Sequence, residues 1–242
     1  MKENNIIKLL MDNKNYFEDF ITRSVNTSNR IEGSTLSYVE TYAILWNDNS
    51  FNLKDVKPRD FYEATNLKYA TNLMLEAIQT GEELSEQLII KLNETINKNI
   101  LDTSGYRTVQ VYIRGATEIP PAANEVKSRM MYLVNDFNQN DQIPLLEKVA
   151  HFHIMFEHIH PFEDGNGRTG RLLINLELLK NGDAPVIIPD EKRVEYFQMI
   201  SNYDTEGLTK MFKELQEIEE KRIEQFKDMV PEKKKKRSEQ ER

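Results

Sequence analysis

The sequence predicts a mainly α-helical fold with one short β-hairpin, on three observations. Glycine and proline are scarce, 9 and 8 in 242 residues. Apolar residues recur at helical spacing along most of the chain instead of alternating. One segment, TVQVYIRGATEIPPAA, breaks that rhythm. The periodicity predicts helices at 2–11, 14–32, 36–47, 59–80, 85–100, 123–139, 145–160, 166–181, 190–202 and 205–229. Pro58 suits the first turn of the fourth helix, Gly33 and Gly81 suit C-terminal caps, and Pro231 stops the last helix. In the irregular segment Val109, Val111 and Ile113 alternate with Gln110, Tyr112 and Arg114, and Arg114-Gly115 offers a turn. This predicts a hairpin over 108–119 closed by Pro120-Pro121. A lone hairpin is either a surface decoration or an edge that holds an extended peptide as an added strand.

Bulk properties bound the function. The length suits one core with appendages. Hydrophobic residues make up 39% and charged residues 30%, and no apolar run approaches the roughly 18 residues of a membrane span. A soluble protein with no membrane role is expected. Zero cysteines exclude a disulfide framework and thiol catalysis. The N-terminus MKENNIIKLLMDN lacks the basic start and sustained apolar core of a signal peptide, so a cytoplasmic location is expected. A net charge of −8 argues against nucleic-acid binding, and KKKKR at Lys233 to Arg237 reads as a solvated tail. The acidic, amphipathic segment LTKMFKELQEIEEKRIEQFKDMV reads as a packing or dimerising element, so a homodimer is an option.

The chemistry gathers in HPFEDGNGRTGR, His160 to Arg171. Pro161 blocks the helix ending near His160, and RTGRLLINLELLK resumes helical spacing. The glycines therefore lie in a loop that opens a helix. Gly165 and Gly167 flanking Asn166 let successive backbone N–H groups converge, and the helix adds its positive end, a geometry that binds phosphate. Arg168 and Arg171 fall three apart on one helical face, and guanidinium forks match phosphate oxygens. Asp164 supplies the hard oxygen that Mg²⁺ on two phosphates requires. His160 has the unperturbed pKa of a general base near neutral pH. Together these describe a nucleotide-using transferase.

Competing patterns fail on spacing. No lysine follows the glycines as a Walker loop needs, and an EF-hand beginning at Asp164 would want glycine at Thr169 and glutamate at Asn175. His151, His153, His158 and His160 crowd into HFHIMFEHIH, yet no HExxH pattern or cysteine supports zinc. The first three read as packing or orienting residues. A plain glycine-rich connector is the bland alternative.

HPFEDGNGRTGR resembles the core motif of the Fic family (filamentation induced by cAMP), H-x-F-x-[D/E]-G-N-G-R-x-x-R. Every fixed position is filled, by His160, Phe162, Asp164, Gly165, Asn166, Gly167, Arg168 and Arg171. The resemblance extends over about 15–215 and implies a Fic-type helical bundle in which the hairpin is a flap clamping a target protein. It divides the chain into an N-terminal helical region (1–50) with an inhibitory helix, a catalytic core (51–215), and a C-terminal helix and charged tail (216–242).

The activity implied is AMPylation: transfer of AMP from ATP, with Mg²⁺ or Mn²⁺, to a Tyr, Thr or Ser hydroxyl of a protein, including the enzyme itself. On that likeness His160 deprotonates the hydroxyl and Asp164 holds the metal. Asn166 and the Gly165–Gly167 backbone form the anion hole, while Arg168 grips the phosphates and Arg171 the γ phosphate. Tyr196 and Asn202 are candidates for the adenine pocket. In SNRIEGST, Ser28 and Glu32 lie four apart before Gly33, similar to the family's inhibitory motif [S/T]-x-x-x-E-[G/N]. A capping box from Asn29 to Glu32 is the alternative reading. As an inhibitor Glu32 would pair with Arg171 and repel the γ phosphate. In some relatives the same glutamate positions water to remove AMP, which makes deAMPylation an alternative. Others transfer phosphocholine or a phosphoryl group. A non-catalytic nucleotide-sensing or regulatory module is the remaining option, and the chain departs from relatives with a C-terminal winged helix by ending in a charged tail.

Overall fold

The computed structural model describes residues 5–48, 56–102, 104–113, 118–140 and 142–228. The expected helices form, with ends shifted by up to three residues: α1 (Asn5–Asp12), α2 (Lys14–Ile31), α3 (Tyr38–Trp46), α4 (Pro58–Thr80), α5 (Glu86–Asn97), α6 (Ala123–Gln139), α7 (Leu145–Ile159), α8 (Asn166–Lys180), α9 (Arg193–Ser201) and α10 (Thr205–Asp228). A short 3-10 turn, Asp190–Lys192, precedes α9 and splits the expected 190–202 helix. Residues 2–4, Pro231 and the basic tail Lys233 to Arg237 lie outside the described residues. No helix among the described residues is long and apolar enough to cross a membrane.

Local chemistry sets several ends. Ser37 caps α3 in a reciprocal capping box with Glu40. Pro58 opens α4, and Gly81 closes it in the left-handed region at φ 71°. Helix α8 is the hub: its leucines and Ile174 are buried, and α2, α4, α5 and α7 pack around it. It also pins the chain that follows. The buried Asn175 side chain accepts from the Val186 N–H at 2.7 Å and donates to the Val186 carbonyl at 2.9 Å.

The expected hairpin over 108–119 is not there. Among the described residues there is no strand, and its turn at 114–117 lies outside them. The flanking backbone is held by side chains instead. Arg107 donates to the carbonyls of Val109 at 2.9 Å and Pro121 at 2.6 Å, and Gln110 Nε2 donates to that of Pro120 at 3.0 Å. Pro120 and Pro121 bring no N–H to a ladder, and a two-stranded hairpin alone is marginal in water. A sequence periodicity of two over so short a stretch does not by itself produce strand pairing.

Helix α2 is fixed against α10 by a buried ionic network. The Glu219 carboxylate, 3% exposed, accepts from the Tyr16 hydroxyl at 2.9 Å and from both terminal nitrogens of Arg23 at 2.8 Å. Asp19 accepts from Arg23 and from Arg222 of α10. Removing Glu219 would leave a buried phenol and part of a guanidinium without an acceptor. Glu219→Ala should cost about 3 kcal/mol. For a chain of this size that lowers the melting temperature by roughly 6–12 °C. A change of less than about 2 °C by calorimetry would show that the network does not hold α2 in place.

Candidate active site

His160 caps α7 in the left-handed region, at φ 49°. Such a conformation in a non-glycine residue persists only where its surroundings over-determine it. Arg107 supplies that constraint. Its side chain is buried, its Nε donates to the His160 carbonyl at 2.8 Å, and its backbone N–H donates to the Pro161 carbonyl at 2.9 Å. A cation at the end of α7 also suits that helix's negative pole.

The His160 ring is oriented by its own helix. Nδ1 lies 3.3 Å from the Glu157 carbonyl, which can only accept, so Nδ1 carries the proton and Nε2 keeps its lone pair. Burial pushes the imidazole down to about 4, against the pull of the Glu157 carbonyl. The ring is therefore neutral across the physiological range.

The loop to α8 is closed by Asn166. Its buried side chain accepts from the Phe162 N–H and donates to the Phe162 carbonyl, both at 2.9 Å. That side chain is occupied within the loop, so Asn166 contributes to an anion hole only through its backbone. Gly165 caps α8 at φ 78°, and no side chain caps the helix. The first-turn N–H groups of α8 are left for an anion.

The Glu32 carboxylate lies beside that turn. A β-carbon on Gly167 would come within 2.3 Å of Glu32 Oε1, so a side chain here would push the carboxylate aside. Glu32 follows the last residue of α2, where Gly33 turns the chain back at φ 104°. Its Oε1 lies 2.6 Å from Arg171 Nη2. Arg171 also donates from Nε to Ser28 Oγ at 2.9 Å and from Nη2 to the Ser28 carbonyl at 3.1 Å. Ser28, Glu32 and Arg171 are thus brought together. Burial opposes the charge on Arg171, and the Glu32 carboxylate more than restores it, raising the guanidinium pKa.

Asp164 is held as well. Oδ1 accepts from the Gly165 N–H at 2.6 Å and from Arg168 Nη2 at 2.9 Å, and Oδ2 lies 2.6 Å from Arg59 Nη2. Arg168 is 2% exposed and lies 3.3 Å from Glu63 of α4, so its guanidinium is enclosed among carboxylates. Among the described residues no group of three or more His, Asp or Glu could hold a metal. One exposed carboxylate edge does suit a divalent ion whose remaining ligands come from phosphates and water.

A cleft of about 910 Å³ is lined by Glu32, His160, Gly167, Phe197 and Asn202, while Ser28, Arg168 and Arg171 line a separate small pocket. Tyr196 does not line it: the residue is fully buried, with its hydroxyl 2.6 Å from His153 Nε2. The crowded histidines take separate duties, since His158 Nε2 bonds the Ile200 carbonyl and its ring stacks on Tyr203. Sequence reasoning missed Arg59, Glu63 and Arg107. It also missed Asn93 and Asn97, whose amides donate to the Asp164 carbonyl at 3.0 and 2.9 Å. A lone arginine or asparagine in a helix pattern gives no local signal; only the fold aims it.

The state of His160 is measurable. By NMR its ring should titrate near pH 4 in the folded protein, against about 6.5 for a free imidazole. Because the folded pKa is depressed, this neutral ring contributes stability above the unfolded pKa, and the contribution is lost as pH falls toward the folded value. A folded-state midpoint above 6 would contradict the buried, Nδ1-bonded ring. Arg107→Met should loosen the His160 carbonyl and lower the melting temperature by several degrees.

A model of the Fic/DOC family matches residues 83–178. The curated protein adenylyltransferase fic-1 of Caenorhabditis elegans is 31% identical over 173 residues, which cover 69% of this chain and 33% of that protein. Protein adenylyltransferase Fic of Nematostella vectensis is 30% identical over 181 residues, 72% and 41% of the two chains. The chain thus spans well under half the length of these relatives. Among solved structures, a Fic-1 fragment from Caenorhabditis elegans aligns with a TM-score of 0.75 at 25% identity, covering 93% of this chain and 66% of that one. A Fic domain containing signaling protein from Bacteroides thetaiotaomicron aligns at 0.71 and 23% identity, covering 83% and 87%, a likeness of fold. With every fixed position of the core motif filled in the sequence, and these relatives and this fold, the chain belongs to the Fic/DOC family.

Proposed function

We propose that the protein transfers AMP from Mg-ATP to a Tyr, Thr or Ser hydroxyl of a target protein, itself included, and that Glu32 holds it inhibited. One observation carries the reading. Glu32 Oε1 lies close against Gly167 and engages Arg171, and Glu32 and His160 line the same cleft. Relatives named protein adenylyltransferase support the chemical class.

In the proposed reaction the His160 Nε2 lone pair accepts the hydroxyl proton while the hydroxyl oxygen bonds the α phosphorus. The bond from that phosphorus to the bridging oxygen breaks, and pyrophosphate leaves with the electron pair. The uncapped first turn of α8 and Arg171 bind the phosphate charge, and Arg168 holds Asp164 in place. Phe197 and Asn202 line the cleft where a base can lie. Bound at Asp164, Mg²⁺ or Mn²⁺ would offset phosphate charge. General-base help of this kind is worth about 10²- to 10⁴-fold in rate.

Inhibition follows from charge and space. Glu32 and a γ phosphate compete for the same guanidinium, and the Glu32 charge repels the phosphate. If the closed arrangement held about 99 of 100 molecules, opening it would cost roughly 2.7 kcal/mol. A second reading, removal of AMP from the same target, is favoured by the Glu32 carboxylate being 35% exposed in the cleft with His160, where it can orient a water.

Incubation with α-³²P-ATP and, in parallel, γ-³²P-ATP tests the proposal. Label should enter protein from the α position only, rise about 10- to 100-fold in Glu32→Gly and vanish in His160→Ala. Label from the γ position alone would make the protein a phosphoryl transferase. An unchanged rate in Glu32→Gly would overturn the inhibitory role. Loss of label from modified target in wild type but not in Glu32→Gly would favour the removal reading.

A further inference from the structure

The two oxygens of Asp164 face different cations. Oδ1 is saturated by the Gly165 N–H and by Arg168, a side chain only 2% exposed. Oδ2 lies 2.6 Å from Arg59, a side chain 60% exposed on the neighbouring helix α4. Glu63, one turn along α4, accepts from Arg59 Nε at 2.9 Å and lies 3.3 Å from Arg168 Nη1. Arg168 is built in, whereas Arg59 reaches in from solvent. Arg59 also lies outside the matched family region 83–178.

We infer that Arg59 is a resident cation on the metal-facing oxygen of Asp164, which a divalent ion carried by the nucleotide must displace, with Glu63 keeping the released guanidinium beside the site. The inference rests on the nucleotide reading above and adds a positioning residue to it. Two arginines and two carboxylates make the cluster formally neutral. A bare divalent ion would face that neutral cluster with no net charge to attract it. An ion on a triphosphate brings its own counter-charge and most of its ligands, so it can take Oδ2 while the released guanidinium turns to the phosphates. Metal and nucleotide are thereby made to enter together.

An exposed pair of this kind is weak, so displacement should cost metal affinity about two- to fivefold. Binding of Mn²⁺, read by equilibrium dialysis as the metal held with the protein in excess of a protein-free compartment containing the same analogue, tests this in the 242-residue chain. It is measured with an ATP analogue carrying methylene between the α and β phosphorus atoms, in the Glu32→Gly background where the Glu32 carboxylate is removed. Arg59→Gln should bind Mn²⁺ two- to fivefold more tightly, with the gain shrinking as salt is raised. Arg59→Lys, which keeps the charge, should stay near the parent. With Asp164→Asn also present, Arg59→Gln should have no effect, which a merely structural role would not produce. Unchanged or weaker Mn²⁺ binding in Arg59→Gln, or the same gain without the Asp164 carboxylate, overturns the inference and leaves AMP transfer untouched. If no variant binds Mn²⁺ with the analogue, the nucleotide reading fails and this inference fails with it.

Discussion

A guanidinium buried in the second turn of α8 must have a counter-anion, and much of the site is arranged around that need. Arg171 is 8% exposed, and among the described residues its carboxylate partner is Glu32. Leaving such a cation unpaired costs roughly 3–5 kcal/mol. The site therefore exchanges anions and does not simply empty. Whatever draws Glu32 away is assisted by a triphosphate that replaces it, and by linkage nucleotide binding assists the withdrawal to the same degree. On the proposed function, inhibition and substrate binding become two occupancies of one electrostatic position.

Where the exchange can happen is set by how α2 is tied down. Its body is fixed through Arg23 and Glu219, both largely buried. Its last turn carries the buried Asn29 and Ile31, and its Ser28, with Glu32, holds Arg171. Arg30, 38% exposed, pairs with Asp190 at 2.8 Å, and Arg193 Nε donates to the Ile31 carbonyl at 2.6 Å. Exposed pairs are worth at most about 1 kcal/mol, and buried ones several times more when broken. With another anion replacing it at Arg171, the less costly motion is a withdrawal of the 35% exposed Glu32 side chain alone, with α2 staying packed.

How much of this was legible from sequence divides along physical lines. The helices were legible because each depends on its own periodicity and caps: Pro58, Gly81 and the Ser37 box act within a few residues. His160, Gly167 and Arg171 were legible because one continuous loop carries them. Ser28 and Glu32 were legible as a spacing, but their partner, 139 residues on from Glu32, was given only by resemblance. The segment around Val109 misled because alternation in sequence does not by itself produce strand pairing, since a strand also needs a partner's N–H groups, and Pro120 and Pro121 have none. Tyr196 was a candidate for the adenine pocket on the resemblance alone, yet it is buried beside His153 and does not line the cleft. Asn166 has a role of a different kind: both ends of its amide are consumed in bonding Phe162.

The low pKa of His160 bears on when it acts. In the closed site burial holds the ring near 4, a poor proton acceptor by the Brønsted relation. Arg107 pushes the same way, while the Glu32 and Asp164 charges push back. Burial of Glu157 raises its carboxyl to about 8, leaving that neighbour neutral and unable to help. On the proposed function, a triphosphate would bring negative charge toward Nε2, and nearby negative charge stabilises imidazolium. Proton affinity at Nε2 would then rise with the nucleotide in place and fall when pyrophosphate departs. The proposed base would be strengthened by the substrate it serves, whereas in the closed site the His160 ring stays neutral.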